Sequence, residues 1–180
     1  SQVIALALGL TLGLSAGYKG GWVDEVVMRL ADVTLAFPTL LLLIAMAAAL
    51  QPSLFIVFLT IGVVGWAGMA RLVRGQVLVV RQLEYVHASK ALGARDTRIV
   101  LQHVLPNVVA PILIAATLGV AAAIMAEASL SFLGLGVRPP LASWGTLIQD
   151  GYQFLSDSWI PVLVSSGALA VATLGFTLFR

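Results

Sequence analysis

The chain has 180 residues, 60% hydrophobic and only 10% charged, against about 25% charged for an ordinary soluble domain. That composition excludes a soluble globular domain and makes lipid the solvent for most of the chain, which favours membrane-spanning helices. Cysteine is absent, which excludes disulfides, thiolate metal sites and a cysteine nucleophile. The formal net charge is +2, so the placement of the basic residues carries more information than their sum. The expected fold class is all-α: a polytopic transmembrane helical bundle forming one domain over 1–180. The chain begins at Ser1 within an apolar run and closes on Leu178-Phe179-Arg180, so both ends look cut and the chain is expected to be the core of a longer protein. A signal peptide is the competing reading of the first run, but no basic leader precedes it.

The first span is expected over about 2–17. Ala5, Gly9, Gly13 and Gly17 recur every fourth residue and place small side chains on one face. Helices in lipid associate by close packing, so this face predicts a helix–helix contact. Gly20-Gly21 breaks the helix, with Tyr18, Lys19 and Trp22 suited to the membrane–water interface. Residues 23–37 are amphipathic: Val23, Val26, Val27, Leu30, Val33 and Phe37 share a face opposite Asp24, Glu25, Arg29 and Asp32. Arg29 is spaced to pair with Glu25 and with Asp32, and Arg29 and Asp32 could instead reach the polar loop that follows the third span. This segment is expected to continue past Pro38 as one long, kinked helix whose span covers about 36–50.

Gln51-Pro52-Ser53 reads as a turn with Ser53 as N-cap. The third span is expected over 54–70, with Gly62, Gly65 and Gly68 three apart. A polar loop, 71–106, separates it from a fourth span over 107–130, which Pro111 and Glu127 alone interrupt. A turn-rich stretch, 131–158, carries Pro139-Pro140 and Trp144, and a last span covers 160–179 with Gly167 and Gly175 on one face. Five membrane helices are expected. Arg71, Arg74, Arg81, Lys90, Arg95 and Arg98 in the 71–106 loop are six of the ten basic residues. The opposite-side connections, 51–53 and 131–158, hold only Arg138. The positive-inside rule therefore makes 71–106 cytoplasmic and 131–158 extracytoplasmic, with Arg180 inside.

Within the polar loop, Glu84 to Leu92 suffices for two helical turns, and Gly93 suits the left-handed position that ends a helix. Asp96 or Thr97 can cap a second helix, and Pro106 precedes the next span. Tyr85, Val86, Ala88, Ala91 and Leu92 offer apolar contacts on the first short helix. A short helix between two spans suits docking into a groove on a soluble partner. By periodicity alone, a basic loop that merely sets orientation fits equally well.

The residues themselves add a resemblance. Tyr85-Val86-His87-Ala88-Ser89-Lys90-Ala91-Leu92-Gly93-Ala94, then Arg98-Ile99, then His103-Val104-Leu105-Pro106-Asn107, resembles the conserved cytoplasmic loop of membrane subunits of ATP-binding-cassette importers. Ala88, Gly93 and Leu105-Pro106 match that family's pattern. His87 stands in place of its Glu, Ser89 of its second Ala and His103 of its Ile, departures that resemble the peptide and nickel branch. Further blocks resemble the same branch: Ala16-Gly17-Tyr18, Gly20 to Asp24, Arg29, Asp32 and Phe37-Pro38; Gly65-Trp66; Ala70 to Gln76; Ala128 to Gly136; and Pro139-Pro140 with Trp144-Gly145. Together they cover nearly all of the chain, and they look most like the second, shorter (C-type) permease subunit of dipeptide, oligopeptide or nickel importers.

The resemblance implies the permease core of a type I importer in the inner membrane of a bacterium or archaeon. The implied partners are a second permease subunit, two cytoplasmic ATP-binding subunits and an extracytoplasmic substrate-binding protein, all around a lipid bilayer and without nucleic acid. Tyr85, Val86, His87, Ala88, Ser89, Lys90, Ala91, Leu92 and Gly93 would form the ATPase-coupling helix and turn, supported by Arg98, His103, Leu105 and Pro106. Mg-ATP would be used by the partners. This chain holds no G-x-x-x-x-G-K-[ST] sequence, so no ATPase site, cofactor or metal is expected on it. Peptides are the first expected cargo and nickel the alternative.

Glu127 is the one ionisable residue deep in a late apolar helix and so a candidate for the pathway or for gating. A structural or gating role is favoured over substrate binding, because the cost of a charge falls towards the interface. Trp144, Tyr152 and Trp159 suit either an interfacial belt or contact with a binding protein. His87 and His103 have no companion carboxylates at metal spacing. An intramembrane hydrolase would need a base and a nucleophile at one depth, yet no span contains His. A stand-alone channel or carrier would call for inverted repeats or intramembrane charge pairs, and the sequence displays neither.

Overall fold

The computed structural model describes residues 1–50, 53–137 and 140–178. The turn at Gln51-Pro52 and the positions of Arg138, Pro139, Phe179 and Arg180 lie outside the described residues. Every described element is helical: α1 (Gln2–Lys19), α2 (Gly21–Ala36), α3 (Thr39–Ala49), α4 (Leu54–Val80), α5 (Glu84–Ala91), α6 (Asp96–Phe132), α7 (Trp144–Gln153) and α8 (Ile160–Leu178). Four of these, α1, α4, α6 and α8, are long and apolar enough to cross a membrane, and α2 with α3, bent by 87° at their break, makes a fifth when the pair is taken as one span. The chain is thus a polytopic helical membrane protein.

Two expected boundaries move. The segment 23–50 is two helices rather than one, because Phe37 and Pro38 leave the helical conformation and Pro38 becomes the N-cap of α3, at φ −54° and ψ 121°. Proline disfavours helical geometry in the residue before it and cannot donate a backbone hydrogen bond. At 11 residues, α3 extends roughly 16 Å, too short to cross an apolar core of about 30 Å alone. The third expected span, by contrast, does not stop near 70: α4 runs to Val80. No breaker intervenes, and Val73, Val77 and Val80 lie on a buried stripe, so the helix has a reason to continue. Arg71 and Arg74 therefore sit on a helix and not in a loop.

The described residues group into two compact units: 1–2 with 37–64 and 117–180, and 3–36 with 65–116. In the second unit the core is built from Met69, Val73, Val77 and Val80 of α4, Val86 of α5, and Ile99, Val104, Val108 and Ile112 of α6, with Leu6, Leu10 and Leu14 of α1 packed on it. The small face of α1 lies against α4. Ala5, Gly9, Gly13 and Gly17 are all buried, and a Cβ on Gly13 would lie 2.6 Å from the Ala70 carbonyl oxygen and 2.7 Å from the Val73 Cβ. In the first unit, Leu43 and Ala47 of α3, Val57, Ile61 and Val64 of α4 and Leu130 of α6 make a separate core.

The amphipathic α2 shows how lipid inverts the usual logic. Its apolar residues Val26, Leu30 and Val33 are exposed, while Asp24 turns inward to Arg74. The Asp24–Arg74 pair is the partly buried one of this helix, while Glu25–Arg29 and Asp32–Arg71 stay exposed.

The helix ends follow local chemistry. Ser53 Oγ accepts from the Ile56 N–H at 3.2 Å, an N-cap. The end of α6 is a Schellman turn: Gly134 has φ +76°, its N–H donates to Ser131 O, and that of Leu135 donates to Leu130 O. A reciprocal capping box between Ser143 and Thr146 starts α7.

Candidate functional site

The polar segment between α4 and α6 is short and tied down at both ends. Arg81, one residue beyond α4, donates through Nη1 to the carbonyl oxygens of Gly17 at 2.9 Å and Tyr18 at 3.4 Å. These are last-turn acceptors of α1, left without helical partners, and a cation is favoured there. At the other end, the Tyr18 hydroxyl donates to Asp96 Oδ1 at 2.8 Å. The C-terminal end of α1 thus holds both the exit from α4 and the entry to α6.

Between these ties lies α5. Its residue Val86 is buried in the core with Ile99 and Val104, which fixes the face it turns inward. Tyr85, His87, Ala88, Lys90, Ala91 and Leu92 are exposed, Leu92 at 88% of its full area. The helix stops in a Schellman turn: Gly93 has φ +81°, its N–H donates to Lys90 O at 3.0 Å, and the Ala94 N–H donates to Ser89 O at 3.1 Å. An added Cβ at Gly93 would meet nothing within 4 Å. The requirement for glycine is therefore one of backbone conformation and not of space.

His103 joins α5 to α6. Its Nε2 lies 3.3 Å from Ser89 Oγ, which itself donates to Tyr85 O at 2.8 Å, and its ring is tilted against that of Tyr85, with centroids 6.0 Å apart. Arg98 donates to Gln102 Oε1 at 2.9 Å. His87 points elsewhere: with Tyr18, Lys19, Arg81, Val86, Lys90 and Asp96 it lines a polar cavity of about 420 Å³. The two histidines do not converge, and among the described residues no group of three or more His, Asp or Glu is placed to hold a metal.

The expected second helix and fourth span are one element. Helix α6 starts at Asp96, with Arg95 as N-cap and no side-chain cap; the Asp96 carboxylate is engaged by Tyr18 instead of capping. Residues Val100–Val104 form a widened π turn. Pro106 follows it, with no N–H to give Gln102 and a ring that crowds the preceding turn, and the wider turn accommodates both effects. Leu105 packs on the core of this unit. The helix thus passes through Pro106 and does not restart after it.

Sequence reasoning allowed Asp32 to reach the 71–106 segment without naming Arg71 as its partner, and it missed the Asp24–Arg74 pair. Arg74 bonds Asp24 twice, Nε to Oδ1 at 2.9 Å and Nη2 to Oδ2 at 2.5 Å, and Arg71 bonds Asp32 at 2.5 Å. Glu25 pairs with Arg29 at 3.5 Å on the exposed side, while Asp32 is taken by Arg71 and not by Arg29. The signal was present: Asp24 and Asp32 share one face of α2, and Arg71 and Arg74 are three apart in a stretch without a helix breaker.

Glu127 lies in α6, far along the chain from these groups. Its Oε1 accepts from Ser131 Oγ at 2.6 Å, and Ser131 is buried. The same carboxylate borders a largely apolar cavity of about 640 Å³ whose walls include Phe58, Ile124, Trp144 and Phe176. Tyr152 packs edge-on against Phe132 at 6.3 Å, and Trp159 is exposed.

A helical membrane protein with a capped, outward-facing helix tethered between two long spans defines the class, and the comparisons specify it. Over residues 9–180 the chain matches the binding-protein-dependent transport system inner membrane component family, and it belongs to that family. It is 42% identical over 176 residues to the oligopeptide transport system permease protein OppC of Bacillus subtilis (strain 168), covering 98% of this chain and 58% of that protein. It is 42% identical over 174 residues to the dipeptide transport system permease protein DppC of Alkalihalophilus pseudofirmus, covering 97% and 57%. To the glutathione transport system permease protein GsiD of Pectobacterium atrosepticum it is 36% identical over 178 residues, covering 99% and 59%. The chain therefore spans less than two thirds of the length of these relatives. It is a multi-pass component of the inner membrane.

Proposed function

We propose that the chain is a permease subunit of an ATP-binding-cassette importer, forming half of a translocation pathway for peptides. In this reading α5 docks into a cytoplasmic ATPase, a second permease subunit completes the pathway, and a binding protein delivers cargo to the opposite face. The chain carries no ATPase site of its own, and Mg-ATP is used by the partners. The observation that carries the reading is α5: a helix pinned inward through Val86, exposed along its outer face and stopped by Gly93 at φ +81°. Such an element is rigid enough to transmit a push from a soluble partner to α4 and α6 together. Peptides are favoured over nickel because the relatives named above are transporters of oligopeptides, dipeptides and glutathione. Glu127 serves structure or gating, its carboxylate being engaged by Ser131.

The test is Gly93→Val in the full-length subunit assembled with its partners. A left-handed conformation costs a side-chain-bearing residue about 1–2 kcal/mol, more for a β-branched one, so the turn must rearrange. Peptide uptake is expected to fall several-fold relative to ATP hydrolysis. Uptake and hydrolysis coupled as in the unaltered transporter would refute the docking role of α5.

A further inference from the structure

We propose that His103 is a positioning residue that fixes the roll of α5 about its own axis, and so selects the face that α5 turns outward. The proposal rests on the docking role given to α5 above and adds what holds that helix in register. Helix α5 has 8 residues, too few to persist in water alone, so its orientation is set by what it packs against. Within it Val86 is buried, Ser89 is half-buried and the other residues are exposed. Val86 and Ser89 are three apart and share one face. A single apolar contact leaves a short helix free to roll about it, and a directional contact three residues on removes that freedom. The approach of Ser89 Oγ to His103 Nε2, at 3.3 Å, is that second contact.

The hydroxyl proton shows which group donates. Ser89 has one, and it goes to Tyr85 O at 2.8 Å. The Ser89 oxygen is left as an acceptor, so His103 donates through Nε2–H, a tautomer assigned from the network. The same ring lies tilted against that of Tyr85, with centroids 6.0 Å apart, so one imidazole meets two side chains of α5 that are one turn apart. The widened turn of α6 is what aims it. The buried stripe of α6 runs Ile99, Val104, Val108, Ile112, one step of five residues followed by steps of four. In an unbroken α-helix His103, four beyond Ile99, would lie on that stripe and carry its ring nitrogens into an apolar core at a desolvation cost. The π turn over Val100–Val104 gives the place to Val104 and leaves His103 half-buried at the edge, within reach of α5. The turn that accommodates Pro106 therefore also points His103, and such turns are frequent at functional sites.

The experiment uses the full-length subunit assembled with its partners. His103→Phe keeps a ring against Tyr85 and loses the donor, whereas His103→Gln loses the ring and keeps an N–H at comparable reach. Amide hydrogen exchange over 84–92 reads the hold on α5, and peptide taken up per ATP hydrolysed reads its use. One neutral hydrogen bond changes a local opening equilibrium by a factor of about 2–10. His103→Phe is expected to quicken exchange over 84–92 by that factor, to leave 108–116 unchanged and to lower uptake per ATP; His103→Gln is expected to restore both. Ser89→Ala also alters the helix propensity of α5, so it is read as a difference, and it should quicken exchange more in the unaltered background than in His103→Phe. These results together support the proposal. Exchange indifferent to His103→Phe, no recovery in His103→Gln, or an equal effect of Ser89→Ala in both backgrounds would overturn it. Quickened exchange with uptake per ATP unchanged would also overturn the positioning role, and Gly93→Val then locates the fault. If that variant is uncoupled, α5 docks without needing His103; if it too stays coupled, the docking role itself falls.

Discussion

Replacing Gly13 by alanine tests whether α1 and α4 are held by close backbone approach. The added Cβ would lie 2.6 Å from Ala70 O, 2.7 Å from Val73 Cβ and 3.0 Å from Val73 Cγ1. Ordinary contact begins near 3.4 Å, so the helices must separate by something approaching 1 Å or Val73 must leave its position, at an overpacking cost of about 1–3 kcal/mol. Alanine recovers roughly 0.5–1 kcal/mol of helix propensity, leaving a net loss of up to about 2.5 kcal/mol. The same substitution at Gly75, where an added Cβ meets nothing within 4 Å, has only the gain. The assay is the thermal midpoint of the full-length protein with its co-purifying subunits in detergent. Gly13→Ala is expected to lower the midpoint and Gly75→Ala to hold or raise it. A Gly13→Ala protein as stable as the Gly75→Ala one would refute the claim that small residues on α1 set the distance to α4.

Other consequences follow from the same contacts. A double-mutant cycle on Asp24 and Arg74 should give a larger coupling than one on Asp32 and Arg71. The first pair is doubly bonded with side chains 19% and 33% exposed, while the second is 64% and 52% exposed; exposed pairs contribute about 0–1 kcal/mol, and equal couplings measured by unfolding would contradict the geometry. Tyr18→Phe removes the donor to Asp96 at a cost of roughly 0.5–1.5 kcal/mol, and amide exchange over 81–96 should quicken while that of the α6 core does not. Glu127→Ala should destabilise by about 1–3 kcal/mol because the buried Ser131 hydroxyl loses its acceptor. Glu127→Gln retains an acceptor oxygen and should stay near the unaltered stability, so equal losses in the two variants would show that charge rather than the hydrogen bond matters there.

Much of the fold was legible because lipid simplifies the code. Long apolar runs become helices, and Gly20, Gly93 and Pro38 punctuate them where backbone geometry demands it. The α5 turn was readable for the same local reason: a left-handed residue after two helical turns calls for glycine. Helix continuity was harder to read. Arg71 and Arg74 look like loop residues when charge is taken to mean water, yet they lie on α4 because Asp24 and Asp32 are there to receive them. Asp96 looks like a cap, yet Tyr18 claims its carboxylate from 78 residues away. The widened turn before Pro106 is likewise a compromise between a helix that must continue and a proline that cannot donate.

Composition and local backbone chemistry by themselves determined that this chain is a helical membrane protein and where most of its helices break. They also marked the polar segment that carries α5. Only the tertiary structure decided which charges are paired, that α1 holds both the exit from α4 and the entry to α6, and that Lys19, Arg81 and Lys90 line one cavity. The reason is physical: helix formation and termination depend on neighbours within a few residues, whereas partners for a charge in a low-dielectric setting come from other helices, and their identity is fixed by packing.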